Sequence, residues 1–358
     1  MSLPKKLFQS LKKFIKAILE KIDDIATNIA ANSIFLSNLY YAFQWRFGWE
    51  HRAVLTGKKI YAQSLKNPIF NTSLLRRNTH RLEKGLLMRP RRVPFGLNYI
   101  EETVDAYIRA VESNVVEARE LAWACDVLQE YMAITPSHPV IDPLRDLVIK
   151  ASLSVPQDDN VQSKIPYLRS TTTTPDISYD QLLTLAKYRR SVRWFEDAPV
   201  SREIIDRAID VAAYSPTACN RQPYEFRIFD DKQLVSELAK LPMGTAGFGE
   251  QIPCLAVVVG KLRNYYHERD RHLIYIDGSL AIMSFINALE VQGVGSCCLN
   301  WPDVPKLETK MAKLLNLAAD ERPIMLIAFG HPDPEGMVAN STKKPLSQIR
   351  TYNNLGAE

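Results

Sequence analysis

"PCLAVVVGK", residues 253–261, decides the fold class. From Cys254 to Val259 every side chain is apolar, and three of the six are valine. The run is too short for a helix and ends at Gly260-Lys261, so it reads as a strand buried on both faces. A strand without a polar face needs cover above and below, which places it inside a sheet flanked by helices. Its neighbours fit that demand. "YEFRIFD" (224–230) alternates like a strand, and "GSCCLNW" (295–301) and "RPIMLIAFGHP" (322–332) read as further strands. Helical patterns separate them: 178–189 opened by Ser178, 201–215 with Ser201 followed by Glu203, 232–241, and the apolar run 276–294 that stops at glycine. The second half is therefore a mixed α/β domain with a central sheet.

Before about residue 155 the texture is helical. "YIEETVDAYIRAVESNVVEARELAWACDVLQEYMAI" (99–134) has apolar residues at three-four spacing and neither glycine nor proline. It predicts one long helix or two in succession, ended by Pro136, Pro139 and Pro143. Residues 156–178 are polar, with prolines and a threonine run, and read as a linker. The expected organisation is a helical region 1–155, a linker 156–178 and a sheet domain 179–358.

The chain has 358 residues, enough for two domains, and 46% hydrophobic residues can fill a sizeable core. A formal charge of +5 is mild for a protein that coats nucleic acid, and no nucleic-acid partner is expected. The five cysteines form no C-x-x-C pair and no zinc pattern. Their odd number, without a secretory signal, suits a reducing, cytoplasmic compartment.

The first residues add a qualification. In 1–24, Leu7, Leu11, Phe14, Ile15, Ile18 and Ile22 recur at helical spacing among Lys5, Lys6, Lys12, Lys13, Lys16 and Lys21. Such a basic amphipathic helix either packs its stripe on protein or lies on an anionic membrane surface, so peripheral membrane contact is one expectation. Residues 25–45 carry no charge, but their asparagines favour a buried or interfacial helix over a membrane span.

Four spots in the second half bear on chemistry: Arg189-Arg190-Ser191-Val192-Arg193 after a helix, "SPTACNRQPYEF" (215–226), Gly293-Val294-Gly295 running into "SCCLNWP", and Lys343-Lys344 in "NSTKKPLSQI" (340–349). Alone, the arginines read equally as solvated charges at a helix C-terminus. In this order the four resemble the FMN-dependent nitroreductase family over about residues 180–353. The resemblance implies an α+β, nitroreductase-like fold: a mostly antiparallel sheet flanked by helices, with FMN at a homodimer interface. It implies hydride transfer from NADH or NADPH through the flavin to a small organic acceptor, nitroaromatic, quinone-like or specific to one pathway.

Carried over, Arg189 with Lys343 or Lys344 would hold the FMN phosphate, with Arg190 the weaker claimant. Ser191 and Arg193 would meet the ribityl chain and pyrimidine edge. Pro216, Thr217, Ala218 and Asn220 would reach the ring from the partner subunit, and backbone at Asn300 and Trp301 would lie near flavin N5. No side-chain acid or base is implied, and no metal. The chain departs from the pattern at Tyr224, where tryptophan is usual. It departs again in "GTAGFGEQIP" (244–253), which lacks an asparagine and lysine that many members set against the flavin's polar edge. Residues 263–272 are the candidate lid, where His267, Arg269 and His272 would meet an anionic substrate, or else a charged helix end on the surface.

"LLRRNTHRLEKGLLMRPRRVPFG" (74–96) holds His80, Glu83, Lys84 and six arginines. HRLEKGL-like segments precede other nitroreductase-type domains, some associated with surface-polysaccharide gene sets. Three roles stay open for it: covering the FMN site, binding an anionic substrate, or making ion pairs with the second domain. A flavin-binding interaction or membrane-associated protein without NAD(P)H turnover is the alternative function.

Overall fold

A computed structural model describes residues 3–69, 71–155 and 163–353, with side chains described from residue 7 onward. Residues 1–2 of the expected basic helix, 156–162 of the expected linker and 354–358 of the expected C-terminal domain lie outside the described residues. The chain divides into two compact units, 1–53 and 54–358.

The first unit is a helical hairpin of α1 (Leu3–Ala30) and α2 (Ile34–Gln44), followed by the start of α3 (Gly48–Ser64). The uncharged run 25–45 is therefore not one helix. It breaks at 31–33, where Ser37 Oγ donates to the Ala30 carbonyl at 2.7 Å, and ends at Trp45 in the left-handed region (φ 54°). Asp23 ties the hairpin, accepting from Tyr40 Oη (2.5 Å) and Gln44 Nε2 (3.2 Å), with Arg46 at 3.5 Å. Of the two expected settings, burial or an interface, burial is not found among the described residues of this unit: Ile25, Ile29, Ile34, Phe35, Phe43 and Trp45 are all exposed.

In the second unit, α4 (Ser73–Leu86), α5 (Ile100–Ser113), α6 (Ala118–Ile134) and α7 (Asp142–Ser152) share an apolar core centred on Leu82, Tyr107, Leu128 and Tyr131. The 99–134 pattern is two helices, because Asn114 turns left-handed (φ 53°) after α5. Gly85 lies under Phe95, and a methyl group there would stand 2.0 Å from the ring. That ring is itself packed edge-on against Tyr131 and has little room to withdraw.

The remaining elements are α8 (Tyr179–Tyr188), α9 (Arg202–Ala213), β1 (Tyr224–Phe229), α10 (Lys232–Ala239), β2 (Cys254–Lys261), α11 (Leu273–Glu290), β3 (Gly295–Asn300), α12 (Pro305–Leu315), β4 (Glu321–Gly330) and α13 (Leu346–Ile349). The sheet order is β1-β2-β4-β3 and all three pairings are antiparallel. β2 is buried from Cys254 to Gly260, as its sequence predicts. Cys254, Ala256 and Val258 face α9 and α11, while Leu255, Val257 and Val259 face the layer that holds Val235, Leu238 and Met311 of α10 and α12. Ser178 opens α8 with a full capping box to Gln181, and Ser201 caps α9 through the Ile204 N–H.

Among the described residues, Glu268–Glu290 is long and apolar enough to cross a membrane, by length and composition alone. It contains α11, the core helix under the sheet, and half of it is buried in protein.

Gly85→Ala is expected to destabilise the second unit by about 1–3 kcal/mol, the usual cost of overpacking a filled site. The urea midpoint of unfolding checks this. An unchanged midpoint would mean that Phe95 moves freely.

Candidate functional site

The site begins at the open edge of the sheet. β3 pairs with β4 on one side only. On its other side the chain after α8 lays down a single parallel bridge, Ser191 to Ser296, and the Val192 N–H donates to the Ser296 carbonyl at 3.0 Å. Ser296 therefore turns its backbone polar groups away from β4. With the two-residue period of a strand, Cys298 and Asn300 do the same beyond the bridge. Their N–H and C=O groups face the uncovered part of the edge, and both residues are exposed.

Three arginines stand beside this edge. Arg189 is the residue that ends α8. Arg190 Nη1 donates to the Arg189 carbonyl (3.1 Å) and Arg193 Nη1 to the Ser191 carbonyl (3.3 Å). Among the described residues none of the three has a carboxylate within ion-pair distance. The Arg189 Nε is buried with no hydrogen-bond partner. A buried guanidinium donor without an acceptor costs free energy that an anion there would recover. Arg189 acts electrostatically on Glu290 at the end of α11. Burial pushes its pKa up, Arg189 opposes that shift, and one of its oxygens is also unpartnered. The Cys297 thiol is buried and burial raises its pKa, which disfavours the thiolate form.

Trp301 follows β3 but turns its ring inward. The indole N–H donates to Glu308 at 2.6 Å, and Arg322 closes the cluster on Glu308 (3.5 Å) and Asp303 (2.6 Å). Only the backbone of Trp301 is free to serve a ligand at the edge.

The second group, Pro216 to Asn220, lies at the other end of α11. The Ala218 N–H donates to the buried Asp277 carboxylate (3.0 Å), which also accepts from Tyr265 Oη (2.8 Å). Burial raises the Asp277 pKa, while the Tyr265 and Ala218 hydrogen bonds and the Arg221 charge pull it back. Arg221 is buried with its guanidinium over the Tyr265 ring. This loop is strained: Cys219, Asn220 and Gln222 all have positive φ (55°, 52° and 48°). Such geometry persists only where surrounding contacts over-determine it.

Arg76 supplies one of those contacts from the helical layer. It donates to the Asn220 carbonyl (2.9 Å) and approaches Gln222 Oε1 (3.4 Å), while pairing with Glu120 (2.7 Å). Most other charged groups of the HRLEKGL helix are occupied locally, while Lys84 is exposed. Arg77 bonds Glu102, Arg81 stacks on Tyr99, and Glu83 accepts from Trp123 and faces His80. A cavity of about 720 Å³ opens between this layer and the loop, with Arg76, His80, Trp123, Pro216 and Thr217 in its wall.

One chain does not unite the two groups. Ala218 is fixed to Asp277 and Arg189 stands by Glu290, thirteen residues further along α11. At 1.5 Å per residue that separates them by about 20 Å. Lys343 and Lys344 lie in an exposed stretch and bond to neither group. The candidate lid 263–272 is pinned at its start: Arg263 is bound to Asp320 (2.7 Å) and Glu321 (2.8 Å), and Lys58 pairs with Glu268. His267, Arg269 and His272 remain exposed. Asp277 and Arg76 were not singled out from the sequence. The signal for Asp277 was there, as the one carboxylate inside the apolar run 273–289.

Arg76→Ala is expected to cost about 1.5–3 kcal/mol, as charged hydrogen bonds are lost, and to raise amide exchange in 216–222 above that in β2. Uniform exchange across both segments would refute the tie. The neutral form of Asp277 suits its buried site, so its stabilising contribution is complete at low pH and is lost as pH rises through its raised folded pKa. Asp277→Asn should therefore gain stability relative to the native chain as pH rises above the usual carboxylate range. Urea midpoints of both proteins over a pH series check the sign.

The nitroreductase family model matches residues 186–247 and 237–331, which hold the arginine group, the strained loop and all four strands. A protein of Archaeoglobus fulgidus named "Putative NADH dehydrogenase/NAD(P)H nitroreductase" is 26% identical over 164 residues, 44% of this chain and 88% of that one. An iodotyrosine deiodinase of Nematostella vectensis is 24% identical over 46% of this chain and 71% of its own. Among solved structures, an FMN-dependent nitroreductase from Clostridium difficile superposes with a TM-score of 0.42 at 21% identity, covering 48% of this chain and 99% of that one. On the matched segments and the sheet they build, the C-terminal half of this chain is a nitroreductase-family domain.

Proposed function

We propose that the protein is an FMN-dependent oxidoreductase that takes hydride from NADH or NADPH and passes it to a small organic acceptor. The observation that carries the reading is the set of three arginines at the open edge of β3 that have no carboxylate partner among the described residues, one with a buried donor lacking an acceptor. A phosphate dianion fits that donor set, because guanidinium offers it a planar fork of charge-assisted hydrogen bonds. When bound, FMN supplies the two-electron relay between donor and acceptor.

The chain's own residues do the rest. Arg189 grips the phosphate, and Ser191 and Arg193 orient the polar chain and ring edge. The outward backbone N–H at Asn300 provides a fixed dipole for negative charge developing at the reacting edge. Burial of Cys297 keeps a neutral wall there. No side chain is required to move a proton.

The 20 Å between the arginine group and the strained loop supports a homodimer in this reading. A two-fold partner would bring its own 216–220 loop to the first protomer's arginines, and its Lys343 and Lys344 would join the phosphate from the exposed tail. The acceptor is a nitroaromatic, a quinone-like compound or a pathway-specific molecule. Relatives named iodotyrosine deiodinases add halogenated aromatics to the compounds worth screening.

Freshly purified protein, or protein supplied with FMN, is expected to show the absorbance of oxidised flavin and to sediment as a dimer. Arg189→Ala should lose the flavin while staying folded, and Arg190→Ala should lose less. Full flavin retention in both would end the clamp assignment. Anaerobic NADH or NADPH should bleach the bound flavin. A yellow protein that neither donor bleaches would favour a flavin-binding protein without turnover.

A further inference from the structure

We infer that α1 is a membrane-surface helix, which lies along an anionic lipid bilayer with residues 7–22 in the interface. The first observation is an apolar stripe that, among the described residues, its own unit leaves uncovered. Leu7, Leu11, Phe14, Ile15, Ile18 and Ile22 share one helical face over residues 7–22, and all are exposed, Leu7 at 76% and Phe14 at 64%. Within its own unit α2 cannot cover this stripe. The hairpin bonds between the two helices begin at Asp23 and end at Ala30, beyond the stripe's end.

The second observation names the occupant. Residues 1–22 hold six lysines and one glutamate, which equals the formal excess of +5 carried by the whole chain. Lys12, Lys13, Lys16 and Lys21 are exposed along the same helix. Lys12 sits over the Phe8 ring at 4.5 Å, and the Lys16–Glu20 pair is open to solvent. An exposed apolar stripe bordered by lysines matches a surface that is apolar beneath and negative on top, which describes an anionic bilayer. A second copy of the helix would satisfy the stripe but would crowd lysine against lysine, so charge favours the lipid.

The third observation extends the footprint. α2 has no charged residue, and Ile34, Phe35, Phe43 and Trp45 stand exposed on and just after it. Tryptophan at the end of such an element suits the boundary between headgroups and acyl chains. The Asp23 knot of Tyr40, Gln44 and Arg46 holds the two helices together as one platform.

The test is co-sedimentation of the full-length protein with phosphatidylcholine vesicles, with and without phosphatidylserine, at low and high salt. Binding is expected only with phosphatidylserine, weakened by salt, with a blue shift of tryptophan emission. Replacing Lys12, Lys13 and Lys16 by Gln should weaken partition on the order of 100-fold. Phe14→Asp should abolish it. Far-UV circular dichroism of the soluble variants confirms that the rest of the chain is folded. Absent binding to anionic vesicles, or equal binding to both kinds, overturns the proposal. So does a self-association that Phe14→Asp dissolves, because the stripe would then belong to a second copy.

Discussion

A strand with apolar residues on both faces sets the architecture of the C-terminal half. β2 cannot meet water on either side, so α9 and α11 must close one face and the layer of α10 and α12 the other. The cover is expensive in chain, and it leaves the periphery of the sheet less protected. β3, at one margin, receives a single bridge from Ser191. The free peptide groups beyond that bridge and the arginines that border it are thus by-products of how the core is closed. Chemistry is possible at the margin because the centre is fully occupied.

α11 then acts as a ruler. One face of it is buried from Ile274 to Leu289, so its two ends cannot approach each other by bending. One end holds the strained loop through Asp277, and the other lies by Arg189. Any small ligand that needs both groups must draw them from different molecules. The helical layer contributes stiffness at a distance: Arg76 reaches across 144 residues of sequence to a carbonyl in the strained loop. A segment with no catalytic pattern of its own thereby enters the site as a brace.

Much of this was legible in the sequence, for local reasons. The four strands and the capped helices α8 and α9 follow from periodicity and from Ser178 and Ser201, whose effects act within three residues. The order of the arginine, loop and strand motifs was equally readable. Elsewhere the local signals ran out. Nothing in 99–134 marks Asn114 as a turn except its tolerance of left-handed backbone. The single buried or interfacial helix expected at 25–45 is instead a hairpin broken at 31–33 with exposed apolar residues, a break that no local pattern announces. The role of Arg76 was hidden for another reason: its partner is far away in sequence. Trp301 was placed near the reacting edge, yet only Glu308 and Arg322, from other elements, reveal that its ring points inward.

The open margin of β3 has a further consequence for the protein's colloidal behaviour. Unpaired backbone groups on an edge strand invite a strand from another molecule, which is a common route to aggregation. Here any incoming strand would have to approach past Arg189, Arg190 and Arg193, none of which has a neutralising carboxylate among the described residues. Their repulsion of other basic surfaces, and the bulk of their hydration, guard the edge. The same charges that would draw in a phosphate therefore also disfavour the addition of a foreign strand at this edge.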